Sequence, residues 1–403
     1  MVEKVIFHVD VNNAFLSWEA IYRLNVLGEE CDLRTIPSAI GGDMSKRHGV
    51  ILAKSTIAKQ YNIKTGEPIV DALRKCPGLV IVKPNHDLYE EQSAKFLEIL
   101  NKYSPVVEQY SIDEAFIDMT GMERLFGKPI EAAHALKDEV YNTLGFTVNV
   151  GISSNKLLAK MAGDFEKPNK VHTLFPDEIE KKMWPLPVGD LLFVGKASEK
   201  RLNSLGIRTI GELAKADIGV LRAVMKKQGE TLYRYANGID GDELEIEPED
   251  NKGYGNSTTI SFDVTDSYTA KRYLLRLSEN VSARLRQDNV RAGEVSVTIK
   301  YYDLTKESHQ GALETSTNIT KEIYEAACRL FDELWEGIPI RLLGVRAGKI
   351  SHAGSMRQLS LFDNTDYEKL EKLDKAVDKI RGRFGNEAIK PASFLEKDKF
   401  DKK

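Results

Sequence analysis

Short apolar segments alternate with amphipathic ones through the first 170 residues, and this alternation constrains the fold more than any other feature. The segments with strand character cover residues 4–9, 79–84, 110–119 and 146–152. Apolar residues recur every three or four positions over 87–103 and 130–144, which predicts amphipathic helices. Strands and helices interleaved in this way predict an α/β layer domain with helices on one face of a sheet.

The remainder of the chain changes character twice. Residues 171–238 are helical and are broken into short helices by prolines and glycines, and the acidic run 240–250 is typical of a linker. Beyond it lie strands over 261–264, 295–304 and 340–350 and helices over 270–287, 321–335 and 370–384. A chain of 403 residues can hold several such cores, so we predict an α+β multidomain protein.

Composition limits what this fold can be for. Apolar residues make up 42% and charged residues 29% of the chain, which excludes a disordered chain, a coiled-coil rod and a membrane protein. No apolar stretch reaches the roughly 20 residues of a spanning helix and no leader opens the chain, so we expect no membrane association. Cys31, Cys76 and Cys328 lie far apart, which indicates neither a disulfide framework nor a zinc site and favours a cytoplasmic location.

The charge balance is slightly acidic, with 57 basic against 61 acidic side chains and a net charge of −4. Averaged over the chain, this balance argues against a nucleic-acid binder, because such proteins usually carry a basic footprint. The run 240–250 alone holds seven of these acids, however, so the rest of the chain is slightly basic and a groove elsewhere can be locally basic.

Three carboxylates stand where strands end. Asp10 follows the first apolar segment, and Asp113 and Glu114 are adjacent near the start of another. Adjacent residues of a regular strand face opposite ways, so both acids can reach one cleft only from a bend or a hairpin tip. Three carboxylates form an oxygen site suited to Mg²⁺ or Mn²⁺, and two such ions can drive phosphoryl transfer. The alternative is that Asp10 caps a helix while the other two acids form a solvated turn.

Four segments resemble the signature blocks of one family, in that family's order and spacing: HVDVNNAFLSWE, IGGDMSKRHGVILAKS, YSIDEAFIDMTG and GISSNKLLAKMAGDFEKPNK. The family is the Y-family (translesion) DNA polymerases, in the bacterial group of DNA polymerase IV and UmuC-like members. The later parts of the chain resemble the thumb, little finger and tail of that family. The resemblance therefore covers essentially the whole chain.

The resemblance implies a right-hand polymerase with a ferredoxin-like palm, small fingers, a helical helix-hairpin-helix thumb and an α+β little finger. The implied intervals are 1–28 and 77–170 for the palm, 29–76 for the fingers, 171–238 for the thumb, 239–253 for an acidic linker, 254–352 for the little finger and 353–403 for the tail. The implied reaction is template-directed, error-prone translesion synthesis, in which two Mg²⁺ ions (or Mn²⁺) serve nucleotidyl transfer from a dNTP to a primer 3′-OH. Primer–template DNA and the β subunit of the bacterial sliding clamp are the implied partners, and we expect a monomer.

The resemblance also assigns the residues around the reacting groups. It implies that Asp10 and Asp113 bind both metal ions, that Glu114 binds the catalytic one, and that the carbonyl of Val11 completes a metal shell. The implied nucleotide contacts are Asn13, Ala14, Phe15, Ser55, Lys59 and Lys167. Among these, Phe15 takes the position of the steric gate against a 2′-hydroxyl, and Lys167 takes that of a lysine that contacts the triphosphate. For Phe15 there is an alternative: without the motif, an aromatic residue at this position is expected to be part of the hydrophobic core.

The fingers block departs from the pattern of many relatives. Thr56 and Lys59 stand where those relatives have a tyrosine and an arginine, as in some UmuC-like members. Lysine binds phosphate as a point charge and lacks the bidentate fork of arginine. This departure bears on triphosphate affinity and fidelity.

Outside the palm and fingers, the resemblance implies DNA contacts at Gly195, Lys196 and Lys200 of a hairpin and at Arg346 of a strand. Gln358, Leu361 and Phe362 resemble the clamp-binding peptide, which offers one polar and two apolar anchors in an extended segment. Two alternatives remain: a catalytically weak, UmuC-like clamp-binding subunit for DNA-damage tolerance, and a palm-type nucleotidyl cyclase.

Overall fold

A computed structural model describes residues 4–42, 49–241, 243–245, 250–352 and 366–391. The chain divides into two compact units, the first built from Met1–Gly42 with Gly49–Pro248 and the second containing Glu249–Lys403. No helix within these described ranges is both long and apolar enough to cross a membrane.

The first unit holds two small sheets and a series of helices. Its strands are β1 (Ile6–Val11), β2 (Ser38–Gly41), β3 (Ile51–Lys54), β4 (Val80–Val82), β5 (Val107–Gln109), β6 (Glu114–Asp118), β7 (Val148–Ser153) and β8 (Val171–Thr173). Its helices are α1 (Ala14–Asn25), α2 (Thr56–Gln60), α3 (Ile69–Lys75), α4 (His86–Tyr103), α5 (Glu123–Phe126), α6 (Pro129–Leu144), α7 (Lys156–Gly163), α8 (Ile179–Lys182), α9 (Lys196–Ser204), α10 (Ile210–Ala214), α11 (Ile218–Met225) and α12 (Lys227–Ala236).

The larger sheet has the strand order β5-β6-β1-β7-β8. Strand β1 lies antiparallel to both β6 and β7, β5 and β6 form an antiparallel hairpin, and β8 runs parallel to β7. With α1 to α4 before the hairpin and α6 after it, the first four of these strands have the β-α-β-β-α-β connectivity of a ferredoxin-like fold. The predicted palm fold is confirmed.

Helices cover both faces of this sheet, so the prediction of helices on one face was wrong. Phe7 and Val9 of β1 pack in one core with residues of α4 and α6, whereas Ile6 packs with Phe116 and Ala159, the latter on α7. A Cβ at Gly151 of β7 would overlap the carbonyl oxygen of Ala159, so only glycine allows α7 to lie this close. Burial on both faces explains why every residue of β1 is buried.

The smaller sheet has the order β3-β2-β4, with α2 and α3 packed beside it. Strand β4 pairs parallel to β2 here, although it lies in the interval 77–170 assigned to the palm. Conversely, β8 pairs with β7 although it lies in the interval assigned to the thumb. Hydrogen bonding therefore crosses two of the predicted intervals, and the intervals themselves stay predictions.

The short helices α8 to α12 pack with α7 in one hydrophobic core, which includes Leu158, Leu202, Leu213 and Leu232. After them, the beginning of the acidic linker lies against the first unit. The Leu157 N–H donates to Asp240 Oδ2 at 3.0 Å, and the Glu245 N–H donates to Glu108 Oε2 at 2.9 Å. These contacts anchor a segment that the sequence analysis treated as a solvated linker.

The second unit is a four-stranded antiparallel sheet with helices on one face. Its elements are β9 (Gly253–Val264), α13 (Ser267–Gln287), β10 (Val290–Tyr301), β11 (Lys306–Thr317), α14 (Thr320–Leu334), β12 (Ile340–His352) and α15 (Tyr367–Phe384). The order is β11-β10-β12-β9, and alternate residues of β10 and β12 join α13 and α14 in one core. The predicted strand–helix order omitted β11, because this polar edge strand lacks a continuous apolar face.

Candidate active site

The carboxylates meet on neighbouring strands of the larger sheet. Asp10 lies directly opposite Glu114 in the β1–β6 pair, and opposite residues of antiparallel strands face the same side with Cβ atoms about 5 Å apart. The Val11 N–H donates to the Asp113 carbonyl oxygen at 3.0 Å, which holds the turn before β6 at the end of β1. Asp113 lies in the turn before β6, which begins at Glu114. That the side chains of Asp113 and Glu114 both reach one cleft stays a prediction.

Asp10 is buried and carries a lysine partner. Its Oδ2 atom forms an ion pair with the Nζ of Lys167, which also lies 2.9 Å from Asp164. Burial raises the pKa of Asp10 above its ordinary value even though the charge and hydrogen bond of Lys167 act to lower it. The same pairing raises the pKa of Lys167 against the effect of its own burial. A single lysine therefore does not fully compensate the buried charge of Asp10.

Glu114 is held by two donors on one oxygen. Its Oε2 atom forms an ion pair with the Nζ of Lys160 and lies 3.4 Å from the Nε2 of His8. Burial alone would raise the pKa of Glu114, but the hydrogen bonds from His8 and Lys160 and their charges outweigh it and lower the pKa to about 2. Glu114 is thus firmly ionised. The sequence analysis missed Lys160 and His8; the signal for Lys160 was its spacing of four from Lys156 on an apolar helix.

Asp113 has a local partner instead. The Ser111 hydroxyl donates to Asp113 Oδ1 at 2.7 Å within the turn. Within the described residues, no group of three or more His, Cys, Asp and Glu side chains is spaced to hold a metal ion. The three acids are instead turned toward Lys167, Ser111 and Lys160.

The donor set nonetheless fits a hard divalent cation. Asp10 and Glu114 lie opposite each other at one strand end, and carboxylate oxygens are the ligands that Mg²⁺ prefers in proteins. The raised pKa of Asp10 shows a buried negative charge that one lysine compensates only in part. The carbonyl of Val11 belongs to the same strand end, and its binding of a metal ion stays a prediction.

A network of side-chain hydrogen bonds connects the end of β1 to β7 and to the segment that carries Lys167. The Asn12 Nδ2 donates to Asn149 Oδ1 at 3.2 Å, and the Asn12 Oδ1 accepts from the backbone N–H of Asn169 at 2.9 Å. Asn149 in turn donates to the carbonyl of Glu166 at 2.7 Å. These contacts fix the segment that carries Lys167 beside β1, which gives Asn12 a structural role.

The start of α1 lies immediately after the carboxylate strand. Asn13 is exposed, adopts φ 49° in the left-handed region and makes no side-chain capping bond, and Ala14 begins the helix. A helix start of this kind directs free N–H groups outward, where they favour an anion.

The Phe15 ring is fixed by aromatic neighbours. It stacks on Tyr89 with ring centroids 4.5 Å apart and an interplanar angle of 10°, and it meets His86 edge-on at 6.1 Å. Phe15 is only partly buried, so one part of a rigid ring remains accessible. This arrangement differs from that of a fully buried core aromatic.

Ser55 and Lys59 differ in what they offer. The buried Ser55 hydroxyl accepts from the Ala58 N–H at 3.0 Å and donates to the Ile36 carbonyl at 2.7 Å, so it caps α2. Lys59 is exposed, and its charge, after the effect of burial, helps to lower the pKa of nearby Lys54. Lys54 is therefore a second cation beside Lys59, which the sequence analysis did not single out.

The hairpin before α9 is open to solvent. Gly195 is the N-cap of α9, and Gly195, Lys196 and Lys200 are all exposed. Among the residues that the structure describes, none beyond its chain neighbours lies within 4 Å of where a Cβ of Gly195 would be. The backbone here is accessible to a large ligand.

In the second unit, Arg346 lies exposed on β12, on the sheet face away from α13 and α14. It stands opposite Ser296 of β10 and Gly255 of β9, so its neighbours are small. Several other basic residues of this unit are paired with acids of the same unit: Lys271 with Asp332, Arg276 with Glu387, Arg286 with Asp374 and Asp378, Arg291 with Glu371, and Lys349 with Glu294. Their charges are therefore partly compensated within the unit.

The segment of Gln358, Leu361 and Phe362, which is predicted to bind the clamp, lies outside the described residues. The helix that follows it, α15, packs on its own unit through ion pairs of its acidic side chains, such as Asp374 with Arg286 at 3.0 Å.

The fold places the chain in a known structural class. It matches the solved structure of a chimeric Y-family DNA polymerase with a TM-score of 0.73 at 23% sequence identity, over 86% of this chain and 99% of that one. The right-hand polymerase fold is thereby confirmed. Three family models agree: the impB/mucB/samB family over residues 9–164, the impB/mucB/samB family C-terminal domain over 251–361, and the DNA polymerase-iota thumb domain over 189–240.

Curated relatives span the full length. DNA polymerase IV of Clostridium acetobutylicum is 45% identical over 401 residues, which cover 98% of this chain and 100% of the relative. DNA polymerase IV 2 of Bacillus subtilis is 38% identical over 403 residues, covering 98% and 95%. The chain therefore belongs to the impB/mucB/samB family of Y-family DNA polymerases. It is a DNA-directed DNA polymerase of the translesion class, and enzymes of this family depend on metal ions.

Proposed function

We propose that this polymerase extends primers across damaged templates by a two-metal mechanism centred on Asp10, Asp113 and Glu114. The observation that carries the proposal is the direct pairing of Asp10 with Glu114 across β1 and β6. Two Mg²⁺ ions, when bound, would activate the primer 3′-OH and stabilise the leaving pyrophosphate. Asp10 and Asp113 would bind both ions, Glu114 the catalytic one, and the Val11 carbonyl would complete a shell.

In this proposal Lys167 contacts two groups in turn, first Asp10 and then the triphosphate. It neutralises Asp10 in the present arrangement, and it lies just past the end of α7 where a triphosphate at the start of α1 would be within its reach. We infer that it leaves Asp10 for the triphosphate, while the backbone N–H groups of Asn13 and Ala14 bind the same anion. Lys59, with Lys54 beside it, would bind the triphosphate from the fingers, and Ser55 would act by holding α2 in place.

Sugar selection is assigned to Phe15. A ring held rigidly on Tyr89 can reject a 2′-hydroxyl by contact, because it cannot rotate away at low cost. In the fingers, Thr56 is exposed and stands where many relatives have a tyrosine. This small side chain would contact the nascent base pair less than a phenol, which supports error-prone synthesis.

The DNA contacts in this proposal are independent of sequence. Gly195, Lys196 and Lys200 would bind a phosphate at the hairpin before α9, and Arg346 would bind another from the open sheet face of the second unit. Gln358, Leu361 and Phe362 would tether the enzyme to the sliding clamp. The enzyme would then act as a monomer in the cytoplasm.

Primer extension tests the proposal most directly. Purified wild type should extend a primer past a defined template lesion with Mg²⁺, chelation should stop it, and Asp113→Ala should be inactive. Deletion of 358–362 should remove stimulation by the clamp and leave basal extension unchanged. If the wild-type protein is inactive but still binds the clamp, this result would instead favour the catalytically weak, clamp-binding subunit. Thr56 and Lys59, which resemble the residues of some UmuC-like members, are the observation in favour of that alternative. The matches to thumb and C-terminal domain models leave the cyclase alternative without support.

A further inference from the structure

Lys160 is a nearly buried cation beside the carboxylates. Its side chain is 12% exposed, and its Nζ forms an ion pair with Glu114 Oε2. The same nitrogen lies 4.9 Å from the centre of the Tyr110 ring, a distance typical of a cation–π contact. Two contacts on different sides hold the ammonium group in one position.

The two oxygens of Glu114 have different surroundings. Oε2 contacts both Lys160 and His8, and the His8 side chain is 1% exposed, so this oxygen faces the interior. In the described part of the chain, no donor contacts Oε1. The Glu114 side chain is 22% exposed, so the oxygen without a donor is the one that can face a bound ion.

We propose that Lys160, with His8 behind it, restricts Glu114 to one-oxygen contact with the catalytic ion and thereby selects Mg²⁺ and Mn²⁺ over Ca²⁺. The inference rests on the proposed two-metal function. Mg²⁺ requires a near-octahedral shell of six ligands, whereas Ca²⁺ takes six to eight oxygens and accepts both oxygens of one carboxylate. A glutamate whose second oxygen is engaged by an ammonium group cannot chelate, so the site loses a ligand that favours the larger ion. Lys160 is thus a positioning residue that acts through Glu114.

The chain contains a matched control one helical turn away. Lys156 on the same helix has a side chain 13% exposed, lies 2.8 Å from both oxygens of Glu108, and lies 5.4 Å from the centre of the Phe116 ring. It repeats the burial, the ion pair and the aromatic contact of Lys160 without touching Asp10, Asp113 or Glu114. A purely structural role would make the two lysines equivalent.

The test measures ion binding without turnover. The full-length chain is bound to a primer–template with a dideoxy-terminated primer and the matching dNTP, and Mn²⁺ binding is followed by electron paramagnetic resonance with Ca²⁺ as competitor. Lys160→Met should strengthen Ca²⁺ competition about fivefold or more and change Mn²⁺ affinity less than about twofold, because only Ca²⁺ gains from the second oxygen. Lys156→Met should match wild type, and Lys160→Arg should restore the selectivity of wild type, since its guanidinium can occupy the same oxygen.

Equal Ca²⁺ competition in wild type and Lys160→Met would overturn the proposal, as would an equal shift in Lys156→Met. If thermal melts show that Lys160→Met does not fold, Lys160→Leu takes its place under the same criterion, because it removes the charge and every hydrogen-bond donor of the side chain. Failure of the wild type to bind Mn²⁺ or to extend a primer would reject the two-metal function itself, which is a different result from unaltered ion selectivity.

Discussion

The larger sheet of the first unit and the sheet of the second unit arrange charge in opposite ways. In the first, Lys160 and Lys167 pair with acids at one buried strand end, where low solvent access makes each interaction strong. In the second, ion pairs are spread over several helices, including α15, and Arg346 is exposed on the sheet face away from α13 and α14. One substitution at the concentrated charges can abolish primer extension. One substitution on a surface with dispersed charges is expected to lower the affinity for DNA only by a small factor.

The largest effect is expected at Asp10. Asp10→Asn should reduce primer extension about a thousandfold or more, because it removes a ligand shared by both ions. The same change should raise the melting temperature. Burial raises the pKa of Asp10, so its charged form costs folding free energy at neutral pH, and a neutral amide removes that cost.

Glu114→Gln is the matched comparison for stability. Because the pKa of Glu114 is lowered, its charged form stabilises the fold, and this variant should melt below wild type while also losing activity. Calorimetry and primer extension on both variants check the pair. A shift of both melting temperatures in the same direction would contradict the assigned electrostatics.

The next effect concerns the sugar. Phe15→Ala should raise the relative efficiency of ribonucleotide incorporation by roughly a hundredfold, the scale on which a pocket discriminates by one contact. Single-nucleotide insertion kinetics with matched dNTP and rNTP measure it. Tyr89→Phe, which keeps the ring on which Phe15 stacks, should leave selectivity as in wild type. Unchanged selectivity in Phe15→Ala would reject the steric-gate assignment.

Acid titration sharpens the contrast within the first unit. The pKa of Glu114 is about 2 in the folded chain against an ordinary value of 4.5. Its stabilising effect is therefore complete above pH 4.5 and is lost as pH falls toward 2. The free energy of unfolding of wild type should exceed that of Glu114→Gln by about 3 kcal/mol at neutral pH. This difference should vanish as the pH approaches 2. A difference independent of pH would show that the charge is not its cause.

The smallest effect is expected in the second unit. Arg346→Ala should weaken DNA binding about three- to tenfold and reduce the slope of log affinity against log salt by about 1, the signature of one lost phosphate contact. Fluorescence anisotropy at several salt concentrations measures both. Arg286→Ala is the control, because its guanidinium is already paired with Asp374 and Asp378; it should lower the melting temperature and leave the salt slope unchanged. Equal salt slopes for wild type and Arg346→Ala would remove Arg346 from the DNA surface.

Local sequence determined most of the elements that carry the site. The apolar run before Asp10, the adjacent acids at a hairpin tip and the spacing within α4, α6 and α13 predicted strands and helices that lie within a few residues of the observed bounds. Such patterns are legible because apolar spacing depends on neighbours along the chain. Where the pattern was weak, prediction failed: β11 is polar throughout most of its length and was not predicted as a strand.

The partners of the charged groups were decided by tertiary structure alone. The sequence placed Asp10 and Glu114 at strand ends, but only the register of β1 against β6 set them opposite each other. Only the close approach of α7 at Gly151 brought Lys160 onto Glu114, and only the docking of α15 neutralised Arg286. The physical reason is that periodicity is a property of neighbouring residues, whereas the energy of a charge depends on the groups and solvent that folding places around it.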